Sequence, residues 1–147
     1  MKKMVKELMV EKLVKIREKD RIYEAVEKIA EDKETMIACV VDGENRLKGI
    51  ITPREVLKSV EVCEYGTIRY PFFEGPEVLH LLTSKYAGDI MGPPISVKAD
   101  DEIEKAISIM LDEGFYEVPV VDEEGKVIGE INYFGIIISS IEHLKRG

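Results

Sequence analysis

Two stretches of the chain nearly repeat one another 80 positions apart: ACVVDGENRLKGIIT at 38–52 and VPVVDEEGKVIGEIN at 118–132. Each reads as a short apolar, β-branched strand, an acidic turn carrying Gly, and a second strand closing on Gly-x-Ile. One such hairpin is too small to be stable alone in water. Two copies in 147 residues have a common solution, in which their sheets face each other and bury one shared core.

The repetition extends upstream. VKELM (5–9) corresponds to AGDIM (87–91), and 14–32 to 95–113 at an offset of 81. In the latter pair Ile22, Ala25, Val26, Ile29 and Ala30 match Ile103, Ala106, Ile107, Met110 and Leu111. Both sets follow i, i+3, i+4, i+7, i+8, the apolar face of a helix. Asp20 and Asp101 precede these helices at the N-cap position. Each copy ends in a further helix, expected at 52–62 and 132–144. The fold class is therefore α/β (α+β): two pseudo-symmetric β-α-β-β-α repeats packed sheet to sheet. Repeat 1 is placed at 1–62 and repeat 2 at 87–147, with an aromatic-rich segment at 63–86 between them. A face-to-face pair leaves clefts at the seam, where strand ends converge and ligands commonly bind.

The ordered set DIM…ISVKADDEIEKAISIMLDEGFYEVPVVDEEGKVIGEI, with its diverged first copy, resembles a tandem pair of cystathionine-β-synthase (CBS) domains, a Bateman module. The resemblance implies a regulatory module that senses an adenosine-containing ligand such as AMP, ADP, ATP or S-adenosylmethionine and reports to a partner protein, itself unidentified. The family's binding motif, G-h-h-T/S-x-x-D, lies where the last strand meets the last helix. There the helix N-terminus offers free N–H groups and its positive dipole end.

In the first copy the motif reads Gly49-Ile50-Ile51-Thr52-Pro53-Arg54-Glu55, with Glu in place of Asp. Thr52 and Glu55 are the expected ligand contacts, Arg54 the candidate to neutralise phosphate, and Ile50 an apolar contact. The same Thr-Pro-Arg-Glu run also satisfies a capping box with Pro at N1, which needs no ligand. By resemblance the site is further lined by Met36, Ala38, Ile95, Val97, Tyr116 and Val118, with Tyr116 a candidate to stack on a base. In the second copy the motif reads Gly129-Glu130-Ile131-Asn132-Tyr133-Phe134-Gly135. The acid has become Gly135 and Glu130 places a charge where adenine expects an apolar contact. This second site, with Asn132, Val14 and Ile16, is expected to be weak or empty.

Other features bound the function. A net charge of −8 argues against a broad phosphate-backbone footprint, so a nucleic-acid partner is not expected. Cys39 and Cys63 form no CxxC, and the two histidines, His80 and His143, lack companions at metal spacing. No nucleophile–base pairing or phosphate loop is visible, so no catalytic residue and no obligatory cofactor are expected. MKKMVKELMVEKL alternates charged with apolar residues, unlike a signal peptide, and a cytoplasmic protein with no membrane partner is expected. The chain contains no Gln and is rich in Lys and Glu, a composition favoured in heat-adapted proteins.

Three consecutive isoleucines, 136–138, cover too wide an arc for one small core at ~100° per residue, so one of them should face outward. Together with the resemblance this predicts a homodimer. The segment YPFFEG (70–75) is read either as a wedge into the core or as a lid over the cleft, and Pro76-Glu77 as the start of a helix presenting Val78, Leu82 and Tyr86. Competing with the sensor reading are a homodimeric scaffold that has lost its ligand and, more weakly, a slow nucleotide hydrolase using Glu55 or aspartates near the seam as a base.

Overall fold

The computed structural model describes residues 3–32, 36–64, 80 and 82–146. The readings of 65–79 as wedge, lid or helix start lie outside the described residues. Repeat 1 comprises β1 (Lys15–Ile16), α1 (Ile22–Glu31), β2 (Ala38–Val41), β3 (Leu47–Ile51) and α2 (Pro53–Cys63). After α3 (Ala87–Ile90), repeat 2 comprises β4 (Val97–Lys98), α4 (Ile103–Glu113), β5 (Glu117–Val121), β6 (Val127–Asn132) and α5 (Tyr133–Ser139), followed by α6 (Ile141–Lys145). Among the described residues the strands form two three-stranded sheets, ordered β1-β2-β3 and β4-β5-β6. In each, the first pair is parallel across the helix and the second is an antiparallel hairpin. This is the β-α-β-β-α pattern expected, twice.

The sheets are buried on both faces, which is why β2 and, after Glu117, β5 read as continuous apolar runs rather than alternating ones. Along β2, Ala38 and Val40 point into the core beneath α1 and α2. Cys39 and Val41 point the other way, meeting Val121 and Val127 of repeat 2 at the seam, with Leu13 and Leu47 alongside. Val118, Val120 and Ile131 fill the core of repeat 2.

The doubled V-V-D has a structural cause. The Asp42 carboxylate accepts the N–H groups of Glu44 and Arg46, both at 2.9 Å. Asp122 does the same with Glu124 and Lys126, again at 2.9 Å. Each aspartate thus closes its own hairpin from inside the turn. The two turns also join each other: Leu47 N–H donates to the Gly125 carbonyl and Val127 N–H to that of Asn45, each at 3.0 Å. Asn45 Nδ2 adds a bond to the Val127 carbonyl at 3.0 Å. Asn45 reaches this position with φ 66°, a conformation Asn tolerates better than most residues.

The repeats also exchange their opening segments. The turn at Val5–Glu7 packs into the core of repeat 2, while α3 packs into the core of repeat 1. The hydrogen bonds are equivalent across the pseudo-twofold: Val5 N–H donates to Asp101 O at 2.8 Å as Ala87 N–H does to Asp20 O at 2.7 Å. Lys6 to Ala99 and Gly88 to Glu18 form the next pair, both at 2.9 Å. The exchanged chains then cross the last strands. Val10 bonds Glu130 in both directions, and Gly92 bonds Ile50 likewise. These crossings explain the two hairpin glycines. A β-carbon on Gly49 would stand 2.6 Å from the Gly92 carbonyl oxygen, and one on Gly129 would stand 2.6 Å from that of Val10.

Two local expectations are corrected. Asp20 and Asp101 are not the N-caps of α1 and α4; Arg21 and Glu102 hold those positions, without side-chain capping bonds. The aspartates instead turn back to accept the N–H of Arg17 at 2.9 Å and of Lys98 at 2.7 Å, tightening the bend after each first strand. The expected helix at 132–144 is broken at Ser140, where the N–H bonds back only three residues, to Ile137, at 3.0 Å. Ser139 Oγ bonds the Ile136 carbonyl at 2.7 Å, the kind of local competition that weakens helix interiors.

Candidate ligand crevice at the strand ends

The ends of β3 and β6, the starts of β2 and β5, and the two exchanged crossings meet at one edge of the molecule. Ala38 pairs with Ile51 and Glu117 with Asn132, so both strand-to-helix junctions lie at this edge. The seam is bridged here by the Glu117 carboxylate of repeat 2, which accepts the Met36 N–H of repeat 1.

β3 hands over to α2 at Thr52, with Pro53 fixing the first helical φ. Thr52 is buried. Its N–H donates to Glu55 Oε2 at 2.8 Å, and its hydroxyl donates to the same oxygen. The capping box is therefore formed, and Glu55 occupies the donors that the motif would present to a ligand. Glu55 is half-buried and Arg54 exposed. At the pseudo-equivalent junction Asn132 Oδ1 accepts the Gly135 N–H at 2.8 Å, capping α5 without any carboxylate.

The remaining predicted residues fall into two groups. Met36 and Tyr116 are exposed and Ile95 half-buried, all close in sequence to groups at this edge. Tyr116 meets Tyr133 edge-on, with ring centroids 5.1 Å apart. Ile50 is buried, paired with Cys39 and crossed by Gly92. By contrast, Ala38, Val14 and Ile16 are buried in the core of repeat 1, and Val97 and Val118 in that of repeat 2. Their side chains already pack inward; at the edge they offer backbone only.

Sequence reasoning singled out Glu130 but missed Glu117. Both are nearly inaccessible, at 3% and 2% exposure. Both flank Cys39, whose thiol is pushed up to about 12 by burial first and by Glu130 and Glu117 next. Glu117 stands where repeat 1 has Ile37 and Glu130 where it has Ile50. The signal available was that repeat register, since a charge aligned with a core isoleucine marks a seam position that has changed character.

Two open grooves lie nearby. One of about 450 Å³ runs along Lys12–Lys15 and the end of α1 at Lys28, Glu31 and Asp32. The other, about 830 Å³, separates α1 from α2 and contains none of the predicted site residues. Among the described residues no group of three or more His, Cys, Asp or Glu is placed to hold a metal. No helix there is long and apolar enough to cross a membrane.

Comparison with known proteins agrees with this architecture. The CBS domain model matches residues 5–62 and 87–139. The chain is 26% identical over 140 residues to the chloroplastic CBS domain-containing protein CBSX1 of Arabidopsis thaliana, covering 86% of this chain and 58% of that one. It spans about half the length of the curated relatives it matches, 43% to 58%. Among solved structures, a CBS domain-containing protein of Thermotoga maritima superposes with a TM-score of 0.81 at 30% identity, covering 95% of each chain. The cytosolic domain of the Mg²⁺ channel MgtE, solved in complex with ATP, superposes with a TM-score of 0.64 at 26% identity, covering 90% of this chain and 46% of that one. With the family model matching two segments that together make up most of the chain, and the same paired fold in its neighbours, the chain belongs to the CBS domain family as a tandem pair.

Proposed function

We propose that the chain is a regulatory module that binds an adenosine-containing ligand in the crevice at the strand ends and passes the bound state to a partner protein. The observation that carries this reading is the β3–α2 junction, where Gly49–Glu55 brings a helix N-terminus, a hydroxyl and a carboxylate to the edge at which both repeats meet. The ATP seen in the MgtE domain supports the ligand class. Thr52, Glu55, Arg54, Met36, Ile95 and Tyr116 supply side chains; Ile50, Ala38, Val97 and Val118 supply backbone and shape. The Asn132 side, with no carboxylate on its cap and with Glu130 two residues before it, is the weak or empty one. The module performs no chemistry of its own. Thermal unfolding with AMP, ADP, ATP and S-adenosylmethionine tests the proposal. A ligand at about 100 times its Kd adds about 2.7 kcal/mol, or roughly 5–10 °C at this chain length.

A scaffold reading draws on two observations: Glu55 already satisfies Thr52, and five of the predicted contacts are committed to the cores. Absence of a shift with all four ligands would favour it. Under either reading we propose a homodimer. Ile136 is buried, while Phe134 and Ile138 on the same helix are 64% and 63% exposed, and Leu144 on the following α6 is 61% exposed. Leu57 on the equivalent α2 is also exposed, at 66%. A second copy laid across these faces would remove an apolar surface that a monomer leaves in water. Sedimentation as a monomer at micromolar concentration would rule it out.

A further inference from the structure

Glu55 departs from the family motif by one methylene, and its geometry gives that change a consequence. Its Oε2 accepts both the N–H and the hydroxyl of Thr52. Its Oε1 lies against Gly92, 3.6 Å from where a β-carbon on that glycine would stand. Among the described residues no lysine or arginine forms an ion pair with this carboxylate. The N-terminus of α2 is thus filled by the protein's own negative group.

We propose that Glu55 sets the ligand class of the crevice: by holding Thr52 it turns α2's N-terminus away from anions, so the crevice favours adenosyl compounds with a neutral or cationic 5′ group over nucleotides with a 5′-phosphate. This rests on the ligand-binding reading above. Ribose hydroxyls are donors and suit a carboxylate acceptor, whereas a phosphate is acceptor-only and needs the N–H and hydroxyl that Glu55 has taken. Glu117 and Glu130 add two more carboxyl groups at the same seam, both nearly inaccessible to solvent. Arg54, next to Glu55, is exposed, and Lys58, one turn further along α2, has an interaction of its own; solvent and salt weaken the pull of Arg54 relative to a half-buried carboxylate at the donors themselves.

Calorimetric titration with adenosine and AMP, which differ only by the phosphate, tests this on the wild type and on Glu55→Gln. Glutamine keeps the length and can still serve a capping box, and unfolding curves verify that the variant is folded. A charge within ~4–6 Å moves a proton-binding equilibrium about tenfold or more, and the same scale is expected for a phosphate brought to these donors. Wild type should therefore bind AMP at least about tenfold more weakly than adenosine, and Glu55→Gln should narrow that ratio about tenfold, chiefly by tightening AMP. Wild type binding AMP as well as adenosine overturns the proposal while leaving the sensor reading intact. So does a ratio that Glu55→Gln leaves unchanged. Failure of both proteins to bind either compound at millimolar concentration overturns the sensor reading and this inference with it.

Discussion

Replacing Gly49 by alanine tests the interlocked architecture directly. The new methyl would stand 2.6 Å from the Gly92 carbonyl oxygen and 2.7 Å from Met91 Sδ. The methionine can swing aside, but the carbonyl cannot, because Gly92 is bonded to Ile50 through its N–H at 2.7 Å and its carbonyl at 3.2 Å. Ordinary contact therefore requires the crossing chain to retreat by more than half an ångström. Overpacking of this kind costs about 1–3 kcal/mol, and loosening two backbone hydrogen bonds adds about 0.5–1.5 kcal/mol each. A loss of about 2–6 kcal/mol follows, a fall in Tm of roughly 4–24 °C at about 2–4 °C per kcal/mol for a chain of this size. Urea unfolding followed by circular dichroism measures it. Gly129→Ala, 2.6 Å from the Val10 carbonyl, should lose a similar amount. Gly43→Ala, whose nearest neighbour would be the flexible Arg17 side chain at 3.6 Å, should stay within about 0.5 kcal/mol of wild type. Gly49→Ala as stable as Gly43→Ala would refute the claim that the exchanged segment forces glycine here.

Further outcomes follow from the electrostatics and the seam. Asp42 is held down to about 2, first by the Arg46 N–H, and also by the Glu44 N–H and the Arg46 side chain. Its stabilising effect is complete above its unfolded value near 3.8 and disappears as pH falls through about 2. Asp42→Ala should therefore lower Tm at pH 7 but not at pH 1.5, and an equal loss at both would contradict the assignment. In a Cys63→Ser background, Cys39 should resist a thiol reagent at pH 8 and react only on unfolding, since burial raises it from 9.0 to about 12. The stability carried by that neutral thiol should be lost only as pH rises from about 9 towards 12; rapid labelling of folded protein would contradict the burial. Glu117→Ala leaves the Met36 N–H without its acceptor across the seam and should cost about 1–3 kcal/mol, measured by chemical denaturation.

The elements that local chemistry specifies were legible from the residues. The apolar spacing in 22–30 and 103–111 placed α1 and α4, and the V-V-D turns placed both hairpins, because each depends on neighbours within a few positions. Thr52 and Glu55 were legible as a capping box for the same reason. What the sequence hid was long-range. VKELM and AGDIM look alike, and nothing in either says that it packs into the other repeat's core, because both cores are lined by the same residue types. Asp20 and Asp101 were misplaced as caps because their carbonyls are claimed by chain more than sixty residues away. Glu117 escaped notice because a lone charge at a strand start usually faces water, whereas here it reaches across the seam to Met36.

The most direct test of the central claim is the stoichiometry of adenosine binding by isothermal titration calorimetry. One ligand per chain, strongly weakened by Glu55→Ala, which removes the acceptor for the ribose hydroxyls, and retained by Asn132→Ser, is the result expected of a crevice competent only on the β3–α2 side. Two equivalent ligands per chain, or one that survives loss of the Glu55 carboxylate undiminished, would contradict it.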